Sequence, residues 1–413
     1  MGSIKKELLS GVFYTAIAKY SGILISLIIT GVLARLISPD KFGIVAVVTV
    51  ITFFFSIFSD LGIGAAIIQN KELQQKDLNQ LFSFTVWSGC ILTLLFFLCS
   101  WPISFFYKEP GMKTITQLLA INLFFASANI VPNALLYKAK AFKFLAWRSL
   151  GVQVSGGIIA ILAALGGAGL YALIINPILS SILLFIISYR KYPQTLEMTW
   201  GIPSIRKIFK FSAYQFMFNI INYFSRNLDK LLIGKYMGMS PLGYYEKSYR
   251  LMMLPLQNIT HVITPVIHPI FSDYQHDLNQ LASAYEKIIR LLAFIGLPLS
   301  VFLWFSAREI TLIVFGKQWM PSVSIFQILS ISVGIQILRL HFPSIQRHKE
   351  PIFMWVILIN HQRGRYMRRI IYFQNTGCHS LVYHDHIFNQ FPSMLLPNVL
   401  HHLSSFHHSF RET

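Results

Sequence analysis

Acidic side chains are scarce in this sequence of 413 residues: 16 Asp and Glu stand against 35 Lys and Arg, and the four types together make up only 12% of the chain. A soluble domain carries about 25% charged residues, so roughly half of the usual water-facing surface is missing. That shortage excludes a soluble enzyme and a solvated, disordered chain. Cysteine is scarce as well, and three residues cannot supply a disulfide framework. Cys90 and Cys99 lie nine positions apart in one apolar run, which puts them on opposite faces of a helix and about 13.5 Å apart, so they read as apolar filling. There is no phosphate-binding Gly-rich motif, no nucleophile elbow and no paired catalytic carboxylates. No catalytic residue, resident metal or organic cofactor is therefore expected, and the chain does not read as an enzyme. The formal charge of +19 would suggest nucleic acid in a soluble protein. No module pairing basic and aromatic residues stands out, and a cytoplasmic-loop bias explains the excess more simply, so no nucleic acid is expected as partner.

What is present in quantity is apolar. AVILMFWYC make up 54% of the chain, with 35 phenylalanines, and the mean hydropathy is +0.56. This is the composition of an integral membrane protein. Runs of about 20 apolar residues cross a bilayer as helices, because open sheet edges cannot face lipid. Ten such runs occur, at approximately 12–36, 44–69, 81–106, 115–137, 149–166, 170–189, 211–234, 250–271, 288–306 and 322–340. Gly166, Gly167 and Gly169 divide the fifth from the sixth and read as a tight turn. Of the basic residues in alternate loops, fifteen fall in one set, Arg148 among them, and eight in the other, Lys247 among them. The asymmetry predicts a cytoplasmic N-terminus.

The chain also repeats itself at a spacing near 200. Arg35-Leu-Ile-Ser-Pro-Asp-Lys-Phe-Gly43 follows the first span and Lys235-Tyr-Met-Gly-Met-Ser-Pro-Leu-Gly243 follows the seventh. Ser-Pro-Gly is ordinary turn chemistry; its matching place in two six-helix blocks points to a duplicated bundle, the usual build of secondary transporters. The expected architecture is an all-α, polytopic bundle of two pseudo-repeated six-helix halves, with about ten membrane helices and an incomplete second half. Residues 1–200 would form the first bundle, 201–340 part of the second, and 341–413 an atypical tail.

Three segments, Leu8-Leu-Ser-Gly-Val-Phe13, Leu33-Ala-Arg-Leu-Ile-Ser-Pro-Asp-Lys-Phe-Gly-Ile44 and Phe58-Ser-Asp-Leu-Gly-Ile-Gly-Ala-Ala-Ile-Ile-Gln69, resemble the bacterial lipid-linked oligosaccharide flippases. These form the polysaccharide-transporter branch of the multidrug/oligosaccharidyl-lipid/polysaccharide exporter superfamily. The resemblance continues through Leu231–Gly234, Leu242–Tyr245 and Phe315-Gly-Lys-Gln-Trp319, covering about residues 5–337. It implies movement of undecaprenyl-diphosphate-linked sugar units between leaflets of the inner membrane for lipopolysaccharide or capsule assembly. Membrane lipid and other polysaccharide assembly proteins are the implied partners. A cation-coupled drug exporter of the same superfamily and an inactive, truncated remnant are the alternatives.

Beyond about Leu338 the text changes. Ten of the 13 histidines fall in the last 73 residues, and the longest apolar run there, Pro351–Asn360, is half a span. The tail reads as an altered frame. Cys378, His379, His384 and His386 have zinc-binding side chains, but their spacing fits no standard ligand pair.

A charge at the bilayer centre costs at least ~3 kcal/mol on insertion scales, so each one needs a reason. Lys19 and Asp60 lie in the first half, and Arg226, Asp229 and Lys230 in the second, with Arg250 near a span end. Lys19, Arg226 and Lys230 are candidates for binding the diphosphate of a lipid-linked cargo. Asn122 and Asn129, with Asn133 and Gln153, are candidates for lining a sugar-sized cavity, or for bonding helices together. Asp60 and Asp229 either neutralise the cations or couple transport to H⁺ or Na⁺; Asp60 also has a helix-end reading beside Gly62 and Gly64. His261 and His268 share a face of span eight, and Pro255, Pro265 and Pro269 predict a kinked or broken helix there.

Overall fold

The computed structural model describes residues 2–198, 202–273 and 278–339, and among these the backbone is helical almost throughout, with no strand. Each of the ten expected spans falls on helix. α1 (Gly2–Leu36) and α2 (Pro39–Asp60) meet at Ser38. Pro39 opens α2, where its fixed φ and missing N–H suit a first turn. The expected second span is not one helix. It stops at Leu61 (φ 45°) and Gly62 (φ 77°), both left-handed, and resumes as α3 (Ile63–Gln69). Glycine adopts that backbone freely, and its place beside Leu61 explains the stop.

The third span is α4 (Gln75–Leu98) with α5 (Ser100–Tyr107), joined at Cys99. The fourth, α6 (Gly111–Ala128) with α7 (Ile130–Lys138), bends by 40° at Asn129. Pro132 accounts for the bend: it lacks an N–H, and its ring crowds the carbonyl four residues back, at Ala128. α8 (Phe142–Leu165) and α9 (Ala172–Lys191) are separated by the expected glycine turn, with Gly167 at φ 85° and Gly169 at φ 53°.

The second half has α10 (Ile202–Tyr236), α11 (Met239–Asp273), α12 (Leu278–Phe305), α13 (Ala307–Val314) and α14 (Ser322–Arg339). α11 is continuous helix past Pro255, Pro265 and Pro269, so of the kink or break expected there the break is absent; a proline removes one backbone bond and bends a long helix more readily than it severs it. The side chains of His261 and His268 lie outside the described residues, as does the whole of 341–413 with Cys378, His379, His384 and His386.

Among the described residues, six helices are long and apolar enough to cross a membrane, or seven with α6 and α7 counted as one bent span. α10 and α11 are not among them, and they carry the charges Arg226, Asp229, Lys230 and Lys235 on one and Glu246, Lys247 and Arg250 on the other. Phe53, Leu94, Phe105, Leu162, Phe294 and Ile313 are exposed on the outside of the bundle, an apolar surface suited to lipid. The largest apolar core joins the two halves: Ile29, Leu33 and Ile37 of α1 pack with Leu251 and Met252 of α11, Leu292 of α12 and Phe326 of α14. All residues discussed below belong to one compact unit, 1–275 with 284–341.

Candidate substrate-translocation site

The two repeated turns touch each other. A Cβ on Gly43 would collide with the carbonyl of Met239, and one on Gly243 with the carbonyl of Pro39. The contact is reciprocal, each turn's glycine against the start of the other's second helix, so the repeat read in the sequence is also a pseudo-twofold interface. Only glycine permits this backbone approach.

The Phe315–Trp319 segment fastens the same end. The last carbonyls of a helix have no partner within it, and those of α1 are met from the other half. Trp319 Nε1 donates to Ala34 O at 2.7 Å, and Gln318 Nε2 donates to Ala34 O and, at 3.2 Å, to Ile37 O. In return Arg35 donates to Ile313 O at 2.6 Å. Trp319 is fully buried and packs edge-on against Phe42, ring centroids 5.3 Å apart. Lys247, 4% exposed, lies 3.9 Å from the Phe42 ring centroid and about 6 Å from those of Phe315 and Trp319, within cation–π range.

Next to this closure is a cluster of charges on the α10–α11 hairpin. Lys230 Nζ and Glu246 Oε2 are 2.8 Å apart, with 13% and 28% of their side chains exposed. Lys230 also stands 5.2 Å from the Tyr249 ring centroid, and Tyr249 stacks on Tyr245 at 6.0 Å. The Tyr245 hydroxyl donates to Asp229 Oδ2. Arg250 donates to Ser26 Oγ of α1, so the cluster reaches the first half.

The sequence-predicted residues divide accordingly. Lys230 and Asp229 are adjacent in the cluster, and Asp229 is bonded to a phenol instead of neutralising a cation. Arg226 is exposed on the same helix and takes no hydrogen bond or ion pair among the described residues. Lys19 is half-buried on α1 and has none among them either. Asp60 Oδ1 accepts the N–H of Gly64 at 3.2 Å, supporting the first turn of α3. Beside it, the hydroxyls of Ser59 and Ser127 share a hydrogen bond that joins α2 to α6. Asn129 marks the α6–α7 bend, and its Oδ1 is buried without a hydrogen-bond partner among the described residues; Asn122 is half-buried on α6. Asn133 and Gln153 tie helices together: Arg148 donates to Asn133 Oδ1 at 2.9 Å and to Ser188 Oγ, and Gln153 donates to Gly22 O at 2.8 Å. Arg148 and Lys247 are thus buried helix residues, not loop residues as the charge count took them. Removing one from each set leaves fourteen against seven, the same bias.

Sequence reasoning missed Glu246, Tyr245 and Tyr249 because hydropathy drew the eighth span from residue 250. The helix begins at Met239, three turns earlier, and the Leu242–Tyr245 match was the available signal.

Long apolar helices, an apolar outer surface and a polar cluster where the halves meet define a polytopic helical membrane protein. The fold is that of a solved multidrug-resistance MATE-family transporter of the MOP superfamily, in its inward-facing conformation: TM-score 0.54, 15% identity, covering 81% of this chain and 86% of that one. The family model described as "Polysaccharide biosynthesis protein" matches residues 32–324, and the chain belongs to that family. It is 28% identical over 340 residues to the teichuronic acid biosynthesis protein TuaB of Bacillus subtilis, covering 81% of this chain and 70% of the relative. It is 25% identical over 342 residues to the lipopolysaccharide biosynthesis protein WzxC of Escherichia coli K12, covering 81% and 68%. The succinoglycan biosynthesis transport protein ExoT of Rhizobium meliloti is 22% identical over 304 residues, covering 74% of this chain and 62% of the relative.

Proposed function

We propose that the chain flips undecaprenyl-diphosphate-linked oligosaccharide units from the cytoplasmic to the outer leaflet of the bacterial inner membrane, by alternating access, for surface polysaccharide assembly. The observation that carries this reading is the cation excess on the α10–α11 hairpin. Arg226, Lys230, Lys247 and Arg250 outnumber Asp229 and Glu246, and a diphosphate diester brings about two negative charges. Cationic walls give the phosphates a path out of hydrocarbon, while the polyprenyl tail stays in lipid. Arg226 and Lys230, with Lys19 on the facing half, meet the phosphates, Arg as a fork and Lys as a point charge. Asn122 and Asn129 offer amides to the hydrated sugars. A drug-cation exporter needs acidic walls, the opposite balance.

Alternating access needs an end that closes and reopens. The Gly43–Gly243 contact, with Gln318 and Trp319 on α1, is such a closure. With the N-terminus cytoplasmic, this closed end faces outward and residues 1–200 and 201–340 act as the rocking bundles. Asp229 or Asp60 would take the H⁺ or Na⁺ that drives the cycle, and the protein does no covalent chemistry. The test is expression in a strain deleted for its own flippase and supplied with matched sugar units. Surface polysaccharide should return; its absence with every unit overturns the reading.

A further inference from the structure

We infer that Glu246 is an internal counter-anion: it holds Lys230 while the site is empty and gives way when the cargo's diphosphate arrives. The inference rests on the flippase reading above and assigns a role to a residue that reading does not use.

The α10–α11 hairpin distributes its charges unevenly. Asp229 is the chain neighbour of Lys230, yet its carboxylate takes the hydroxyl of Tyr245, a neutral donor. Lys230 is held instead by Glu246, across the hairpin, at 2.8 Å. The other cations have neutral partners or none: Arg250 has the Ser26 hydroxyl, Lys247 has three aromatic rings, and Arg226 has no partner among the described residues. Glu246 lies one and four positions from Lys247 and Arg250 on α11 and acts electrostatically on both. Among the described residues the one ion pair in the cluster is thus Glu246 with Lys230. A network built only for stability would pair its buried charges one to one, because an unpaired buried charge is penalised. The buried and half-buried members, Lys230, Lys247 and Arg250 against Asp229 and Glu246, leave a net +1, and exposed Arg226 at the edge brings the hairpin cluster to +2, which a diphosphate diester matches with about two negative charges.

The position of Glu246 decides what happens on loading. A phosphate reaching Lys230 comes within a few ångströms of the carboxylate, and like charges so close in a site of low dielectric repel strongly. Glu246 must swing away for Lys230 to serve the cargo, and it returns when the cargo leaves. An internal competitor lowers affinity for the cargo and speeds its release, which a carrier requires. It also keeps stray anions off Lys230 in the empty state. Glu246 is therefore a positioning residue, acting on cargo through Lys230.

The test uses the purified full chain in nanodiscs and farnesyl diphosphate as the probe, with surface polysaccharide followed in cells. Glu246→Gln should bind the probe about tenfold more tightly than wild type, chiefly through slower release. It should nevertheless export less polysaccharide. Glu246→Asp, whose charge is retracted by one methylene, should fall between the two in affinity, which guards against a folding defect in the first variant. In a Lys230→Gln background the gain from Glu246→Gln should vanish. Equal or weaker binding by Glu246→Gln, with wild type binding the probe, overturns the counter-anion role and leaves the flippase reading standing. Failure of wild type and both variants to bind the probe overturns the diphosphate site itself.

Discussion

Lys230 and Asp60 show how differently a charge within an apolar helix can be used. Lys230 is drawn to Glu246 in a pair that is mostly buried, and removing one partner of a buried pair costs about 3–5 kcal/mol because the other is stranded. Lys247 and Arg250 remain beside Glu246, so Lys230→Gln should fall at the low end of that range in stability and show its larger effect in transport, with surface polysaccharide sharply reduced. Asp60 is different, because its carboxylate supports the restart of the chain as α3. Asp60→Ala should lower stability by about 1 kcal/mol, the worth of a hydrogen bond to a half-buried carboxylate. Asp60→Asn keeps an accepting oxygen and should stay near wild type in the thermal midpoint of the detergent-solubilised chain. If Asp60→Asn is also normal in export, the carboxylate serves only the Gly64 N–H and carries no coupling ion.

At the scale of elements, hydropathy was a sound guide to helices and a poor one to their ends. A run of about 20 apolar residues admits few readings other than a span, and every run so identified is helical. The breaks escaped notice because their causes are small: Gly62 needs no charge to stop α2, and Pro132 bends α6–α7 from one position inside an otherwise apolar run. Glu246 was missed for a related reason, since it lies on the part of α11 that is too polar for a hydropathy window. Arg226, Asp229 and Lys230 were legible because three charges in an apolar run stand out. The repeat was legible as turn chemistry, while its meaning, two turns packed backbone to backbone, depends on three-dimensional proximity. Gly43→Ala or Gly243→Ala should each destabilise the chain by about 1–3 kcal/mol through overpacking. The double variant should cost less than the sum, because either substitution alone opens the shared contact. Thermal midpoints of the three variants measure that coupling.

Across the whole molecule, the closure of one end and the charge cluster are neighbours joined through Lys247, which belongs to both. A rocking cycle must separate Gly43 from Gly243 and withdraw Gln318 and Trp319 from the end of α1. Ile37 is 2% exposed within that closure. Ile37→Cys, in a chain freed of Cys90, Cys99 and Cys378, should react slowly with a membrane-impermeant thiol reagent at rest and faster during turnover. The same rate in both conditions would remove this end from the cycle.

The most direct measurement of the central claim is reconstitution of the purified chain in sealed liposomes with a fluorescent undecaprenyl-diphosphate oligosaccharide, scored by the fraction accessible to an external quencher. Liposomes holding the wild-type chain should exchange the lipid between leaflets far faster than protein-free liposomes, and the Arg226→Gln, Lys230→Gln double variant should exchange it at close to the protein-free rate. Exchange no faster with the wild-type chain than without it, for units carrying several different sugars, would contradict the account.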